Sequence, residues 1–196
     1  MSRPEGISLT RKHILVLGGA RSGKSQFAQN LARELGGQVL FVATGEAKDE
    51  EMEQRITQHR RNRPSSWRTL EAPIGVAERI GQEASDAEVI ILDCLALLIS
   101  NLLLYEGDRV TDYCIAEEKM LAEVKKLIDC TNKLDAHFII VSNEVGLGLV
   151  PPNKLGRIYR DLLGRANQLL AKNATEVYLL VAGLPLRIKP ATNLLL

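Results

Sequence analysis

Short apolar runs recur along this chain, and most are followed by a stretch with helical spacing. Residues 13–17, 38–43, 88–93, 136–141 and 176–182 are runs of five to seven residues rich in Val, Ile and Leu. Runs of that length, apolar on both alternating faces, predict strands buried inside a sheet. Between them, 26–35 carries apolar residues at helical spacing and stops at Gly36-Gly37. A second helix runs from an Asp49 N-cap to Pro64, with acids in its first turn and bases in its last. Residues 67–71 read as a short edge strand barred from continuing by Pro73, and Ile74 to Ile80 as a short helix closed by Gly81. The stretch 94–104 is apolar on most faces and predicts a buried helix that something must cover, either the chain itself or another subunit. Tyr105 to Val110, with Gly107, reads as a loop, and 111–132 as a long amphipathic scaffold helix. Pro151-Pro152-Asn153 opens a last helix, on which Arg157, Arg160 and Arg165 by default form a solvated face. Gly183 and Pro185 then turn the chain into a hairpin edge strand at 186–189.

Strands alternating with helices predict an α/β fold, a mainly parallel central sheet with helices on both faces and a C-terminal hairpin edge. We expect a leader over 1–12, a single domain over 13–190 and a tail over 191–196. The net charge of +1 gives no reason to expect nucleic acid, and no run is long enough for a membrane helix. Cys94, Cys114 and Cys130 form no C-x-x-C pair and read as reduced thiols of a cytoplasmic protein.

The chemistry concentrates between the first strand and the first helix. Gly18, Gly19, Ala20, Arg21, Ser22, Gly23, Lys24 and Ser25 match the phosphate-loop pattern G-x-x-x-x-G-K-[ST] at every fixed position, in the required strand-to-helix setting. Glycines let successive N–H groups turn toward phosphate oxygens, and the helix that follows aims its positive end at the same anion. Lys24 is expected on the β- and γ-phosphates, and the Ser25 hydroxyl on Mg²⁺. Asp93, closing an apolar strand, is the expected carboxylate of the metal shell. Thr44 and Gly45 end another strand at the edge where ligands of open α/β sheets bind. The polar segment Ser142-Asn143-Glu144 reaches the same edge, where binding and loop capping are both open readings. His137 reads as structural.

On the second helix, four-residue spacing aligns Glu51, Arg55 and His59, with Arg63 continuing the line. A histidine among arginines has its protonated form disfavoured. A neutral imidazole beside phosphate-binding guanidiniums suits a nucleophile at phosphorus, although a solvated surface histidine is the commoner case.

Four runs together resemble one enzyme family. GGARSGKS at 18–25, VATG at 42–45, RITQHRRNRP at 55–64 followed by Trp67, and SNEVGLGLVP at 142–151 are similar to the bifunctional adenosylcobinamide kinase / adenosylcobinamide-phosphate guanylyltransferases of cobalamin biosynthesis. The resemblance covers His13 to Lys189 and implies a RecA-like fold and a homo-oligomer, a trimer. It implies two reactions: phosphorylation of adenosylcobinamide by a nucleoside triphosphate, GTP or ATP with Mg²⁺, and then transfer of GMP from GTP through a GMP–histidine. The matching histidine is His59, with Gln58 where some members carry another. The family's nucleotide contacts fall on the phosphate loop, Ala43, Thr44, Gly45, Arg61, Asn62, Arg63, Pro64, Glu71 and Asp93. Two rivals share the loop: a monofunctional small-molecule kinase with a structural His59, and a RecA-like regulatory ATPase.

Overall fold

The computed structural model describes residues 11–47, 50–61, 63–105 and 113–190, without the side chains of Glu51, Met52, Arg55 and His59. Asp49, Asn62, Gly107 and the rest of the 106–112 loop, most of the leader and the 191–196 tail therefore lie outside the described residues. The elements run β1 (His13–Gly18), α1 (Lys24–Leu35), β2 (Val39–Ala43), α2 (Glu50–Arg61), β3 (Arg68–Glu71), α3 (Val76–Glu83), β4 (Val89–Asp93), α4 (Leu95–Tyr105), α5 (Tyr113–Lys133), β5 (His137–Val141), α6 (Lys154–Asn173), β6 (Glu176–Val181) and β7 (Leu184–Lys189).

All seven strands belong to one sheet, in the order β3-β2-β4-β5-β1-β6-β7. Every neighbouring pair is parallel except β6 with β7. The strands are apolar on both faces because helices cover both. Alternation along each strand divides the core: Leu15, Leu40, Ile90, Phe138 and Ile140 pack beneath α3, α4, α5 and α6. Ile14, Val16, Phe41, Ile91 and Ile139 pack beneath α1. This is the mainly parallel α/β sheet with a hairpin edge that the sequence predicts. No helix among the described residues is long and apolar enough to cross a membrane.

Three local expectations are corrected. Gly81 does not close its helix; α3 continues to Glu83, because Gly81 meets open space and its missing side chain costs only propensity. Pro185 lies within β7 rather than in the turn, which is Ala182-Gly183, both at positive φ. A proline is tolerated there because β7 is the outermost strand. On α6 the arginines are not simply a solvated face: Arg157 donates to the carbonyls of Pro151 and Pro152, Arg165 pairs with Glu117, and Arg160 has a buried Nη1. Most of the apolar α4 is covered by its own chain, with Leu95, Leu98 and Ile99 fully buried, while Leu104 and Tyr105 at its end stay exposed.

One brace ties the carboxyl edge of the sheet together. Fully buried Thr44 donates its hydroxyl to the Cys94 carbonyl (2.7 Å) and accepts from the Cys94 N–H (2.9 Å), linking the ends of β2 and β4. Asn101 of α4 then donates its amide to the carbonyls of Thr44 (2.8 Å) and Pro73 (3.0 Å). Replacing Asn101 with Ala strands two carbonyls in a buried place. We expect a loss of about 1–3 kcal/mol of folding stability, read as a lower urea midpoint with an unchanged slope.

Candidate functional site

The phosphate loop joins β1 to α1 and is shaped by contacts with β6 and the turn that follows it. Gly18 has a φ of 154°, and a Cβ there would lie 2.6 Å from both the Leu180 carbonyl oxygen and the Ser22 hydroxyl. Only glycine fits, because one of those neighbours is backbone. Arg21 holds a left-handed φ of 56° and Gly23 one of 93°. The Gly183 N–H donates to the Ser22 carbonyl (3.0 Å), and the Glu144 N–H to the Gly18 carbonyl (3.0 Å), so the loop is clamped on two sides. Gly19, Ala20 and Arg21 are exposed, whereas the Ser22 hydroxyl is buried without a hydrogen-bond partner.

Lys24 opens α1 with only 8% of its surface exposed. Its Nζ donates to the Gly19 carbonyl at 2.6 Å. Burial lowers its pKa, opposed by the nearby Cys94 and Asp93. Desolvation and the neighbouring Asp93 carboxylate push the Cys94 thiol up to about 12, so it stays neutral. Asp93 at the end of β4 thus supplies the negative charge facing Lys24. Ser25, half-buried, follows Lys24 on the first turn of α1.

Arg63 approaches the same carboxylate from the other direction. Its guanidinium lies 3.7 Å over the ring of buried Phe41, an arrangement favoured by the ring's quadrupole. Burial lowers its pKa, Asp93 and Glu71 oppose that, and Arg60 reinforces it. Two of its donors, Nε and Nη1, are buried with no hydrogen-bond partner. A buried guanidinium with unused N–H groups is costly unless an anion completes it. Lys24, Asp93 and Arg63 therefore form a cluster with donors to spare, which fits a polyanion carrying its own divalent ion.

The remaining expected residues are distributed around this cluster. Ala43 accepts from the Ala72 N–H (2.8 Å), and the Thr44 hydroxyl is already engaged with Cys94. A Cβ on Gly45 would lie 3.5 Å from Ile56 of α2 and 3.5 Å from Leu97 of α4, so α2 crosses this edge directly above Gly45. His59 lies three residues beyond Ile56 on α2, its side chain outside those described. Arg61 ends α2 and is exposed; Asn62 is outside the described residues. The Pro64 carbonyl accepts from the Trp67 N–H (3.1 Å), closing a turn that carries Arg63 inward. Glu71 is exposed and paired with Arg60. Ser142 is fully buried and bonded to Asn167 of α6 (2.7 Å), so it braces the 142–144 segment. His137 accepts the Lys12 N–H on Nδ1 (3.0 Å), a structural role.

The sequence reading missed the contribution of Gly183 and Leu180 to the loop, and the Arg60 partner of Glu71. Both are long-range contacts; only the glycine after the last core strand hinted at a close approach. For Mg²⁺, Ser25 and Asp93 flank Lys24 at the strand-to-helix junction, and such an ion takes most of its ligands from phosphates and water. Among the described residues there is no group of three or more His, Cys, Asp or Glu that holds a metal by itself.

Three comparisons bear on this geometry. The sequence model of the family described as cobinamide kinase / cobinamide phosphate guanyltransferase matches residues 14–188. The chain is 43% identical over 180 residues to the bifunctional adenosylcobalamin biosynthesis protein CobU of Escherichia coli, covering 90% of this chain and 99% of that one. It is 42% identical over 175 residues to the CobP protein of the same description from Pseudomonas aeruginosa, covering 89% and 96%. A solved Pyrococcus horikoshii structure, 11% identical, superposes with a TM-score of 0.51 over 90% of this chain and 85% of the other, a likeness of fold alone.

An amine in the place of Lys24 can hold a phosphate oxygen only when charged, and burial has lowered its pKa. Affinity for a nucleoside triphosphate is therefore full below that pKa and falls as pH rises through it. Calorimetric titration at increasing alkaline pH should show the fall in the parent and not in Lys24→Ala, whose weaker affinity stays flat. Arg63→Ala should weaken triphosphate binding by about tenfold to a hundredfold without lowering the thermal midpoint, since it relieves a buried charge.

Proposed function

Because the chain belongs to the cobinamide kinase / cobinamide phosphate guanyltransferase family, we propose that it phosphorylates adenosylcobinamide and then converts the product to adenosylcobinamide-GDP. The observation that carries this reading is the cluster of Lys24, Asp93 and the two unpartnered donors of Arg63, which follows two residues after α2, the helix that contains His59.

In the first reaction a nucleoside triphosphate, GTP or ATP, lies in the loop from Gly18 to Ser25. Backbone N–H groups of Gly19 to Gly23 and the start of α1 cradle its phosphates. Lys24 leaves the Gly19 carbonyl for the β- and γ-oxygens. Ser25 and Asp93 would hold Mg²⁺, which when bound offsets phosphate charge. The substrate's aminopropanol hydroxyl attacks the γ-phosphorus, the bond to the β-phosphate oxygen breaks, and the hydroxyl proton is lost to water. Such a step needs positioning and charge stabilisation more than a dedicated base.

In the second reaction a neutral ring nitrogen of His59 attacks the α-phosphorus of GTP. A P–N bond forms, the bond to the β-phosphate breaks, and pyrophosphate departs with its charge countered by Lys24 and Arg63. The phosphate of adenosylcobinamide phosphate then attacks the same phosphorus, and the P–N bond breaks to release adenosylcobinamide-GDP and neutral His59. Arg61, Asn62, Pro64 and Glu71 complete the proposed nucleotide contacts, with Ala43, Thr44 and Gly45 supplying backbone and space at the strand end.

Residues 13–190 act as one nucleotide-binding domain of a cytoplasmic homo-oligomer. The outer strand β7, with Leu184, Leu186 and Ile188 exposed, offers an apolar face for a subunit contact, and the proposed assembly is a trimer. Incubation of the protein with α-labelled GTP and Mg²⁺ should give an acid-labile, base-stable label that His59→Ala abolishes. Adding adenosylcobinamide phosphate should move the label into a corrinoid product. A parent enzyme that takes up no label would overturn the transferase reading.

A further inference from the structure

The substrate of the second reaction is far larger than a nucleotide, and the nucleotide cluster leaves no place assigned to its macrocycle. A separate cavity of about 420 Å³ opens over the same sheet edge, on the α6 side, lined by Tyr113, Gly146, Arg160, Asp161, Gly164 and Gln168 among others. Its position follows from α6. Asn167 bonds Ser142 (2.7 Å) and the Asn143 carbonyl (3.0 Å), fixing that turn level with the end of β5. Gly164 and Arg160 lie three and seven residues earlier on the same helical face, the latter about 10 Å further out. They stand beyond the sheet edge, beside the segment whose Glu144 clamps Gly18.

The lining describes its occupant. Arg160 carries a buried Nη1 with no hydrogen-bond partner. Asp161 offers an acceptor, Gln168 both donor and acceptor, and Arg165 is already neutralised by Glu117. Mixed donors and acceptors with little net charge suit carboxamides; Asp161 disfavours a polyphosphate. Bordering Gly146, the residues Leu147, Leu149 and Val150 are 87%, 96% and 66% exposed, an apolar shelf next to the polar cavity. A ligand that fits both has a broad apolar body edged with amides. A corrin ring carrying acetamide and propionamide side chains has that form.

We propose that this cavity takes the carboxamide rim of the corrinoid substrate, with Arg160 donating to an amide carbonyl and Leu147, Leu149 and Val150 underlying the macrocycle. The assignment rests on the proposed function for its choice of ligand. Gly164 supplies the test, since a Cβ there meets nothing within 4 Å and replacement by a larger residue fills the cavity without disturbing the helix.

Corrinoids are coloured, so binding is readable without turnover by retention of visible absorbance with the protein in ultrafiltration. The parent should retain adenosylcobinamide, and Gly164→Leu and Arg160→Gln should each weaken retention about tenfold or more, with Arg160→Lys intermediate. GTP affinity measured on the same variants should stay within about twofold of the parent, which also reports that they are folded. Undiminished corrinoid retention in both variants overturns the proposal, as does a parallel loss of GTP affinity. A loss seen with adenosylcobinamide phosphate but not with adenosylcobinamide overturns the amide assignment, because the arginine would then read phosphate. A parent that retains the corrinoid but takes up no label from GTP defeats the transferase function and leaves this docking site standing.

Discussion

A lysine ammonium held almost out of water is the constraint to which the rest of the structure answers. Stripping hydration from Lys24 is costly, and the cost is offset only if oxygen atoms and a negative charge are held against it. The Gly19 carbonyl supplies the oxygen at 2.6 Å, and Asp93 supplies the charge. Asp93 can do so because β4 ends level with Ala43 of β2 and, through β5, with Val16 of β1, and the Thr44 hydroxyl fastens the residue after it to the end of β2. The same carboxylate offsets the desolvated Arg63 guanidinium. Parallel strands, carboxyl-terminal at one edge, thus converge on a single charge cluster.

The edge is used from both faces. Toward α1 lie the phosphate loop, the Phe41 ring and Arg63. Toward α6 lie the buried Asn167 brace and the cavity that Arg160 lines. The segment 142–146 touches both, through the Glu144 N–H on Gly18 and Gly146 at the cavity mouth. In the proposed function this arrangement brings a nucleotide and a bulky acceptor to one phosphorus from opposite sides of the sheet, without either having to cross the other's binding surface.

Legibility in the sequence followed the range of the interactions involved. The strands were readable because both faces of each are buried, which leaves continuous Val, Ile and Leu runs. The loop was readable because its glycine–lysine spacing between a strand and a helix is a local pattern, although the neighbours that hold Gly18 and Gly23 to glycine, Leu180 and Gly183, are distant in sequence. Asp93 was readable from its place at a strand end. What stayed hidden depends on residues distant in sequence. Nothing local says that Thr44 will spend its hydroxyl on Cys94, that Arg63 will lie on Phe41, or that Arg160 will have a buried donor. Gly81 misled for the complementary reason: a glycine in a helix facing open space carries no structural demand. Pro185 misled because a proline reads as a turn until its strand is known to be outermost.

The hairpin tip at Ala182-Gly183 is exposed and, by its surface position, resembles the places where proteins accept insertions. Yet the Gly183 N–H holds the Ser22 carbonyl, and the Gly183 Cα lies 3.3 Å from where a Cβ on Gly23 would sit. Mechanically, the tip is the back wall of the anion cradle. An epitope or linker grafted there would loosen the loop from behind.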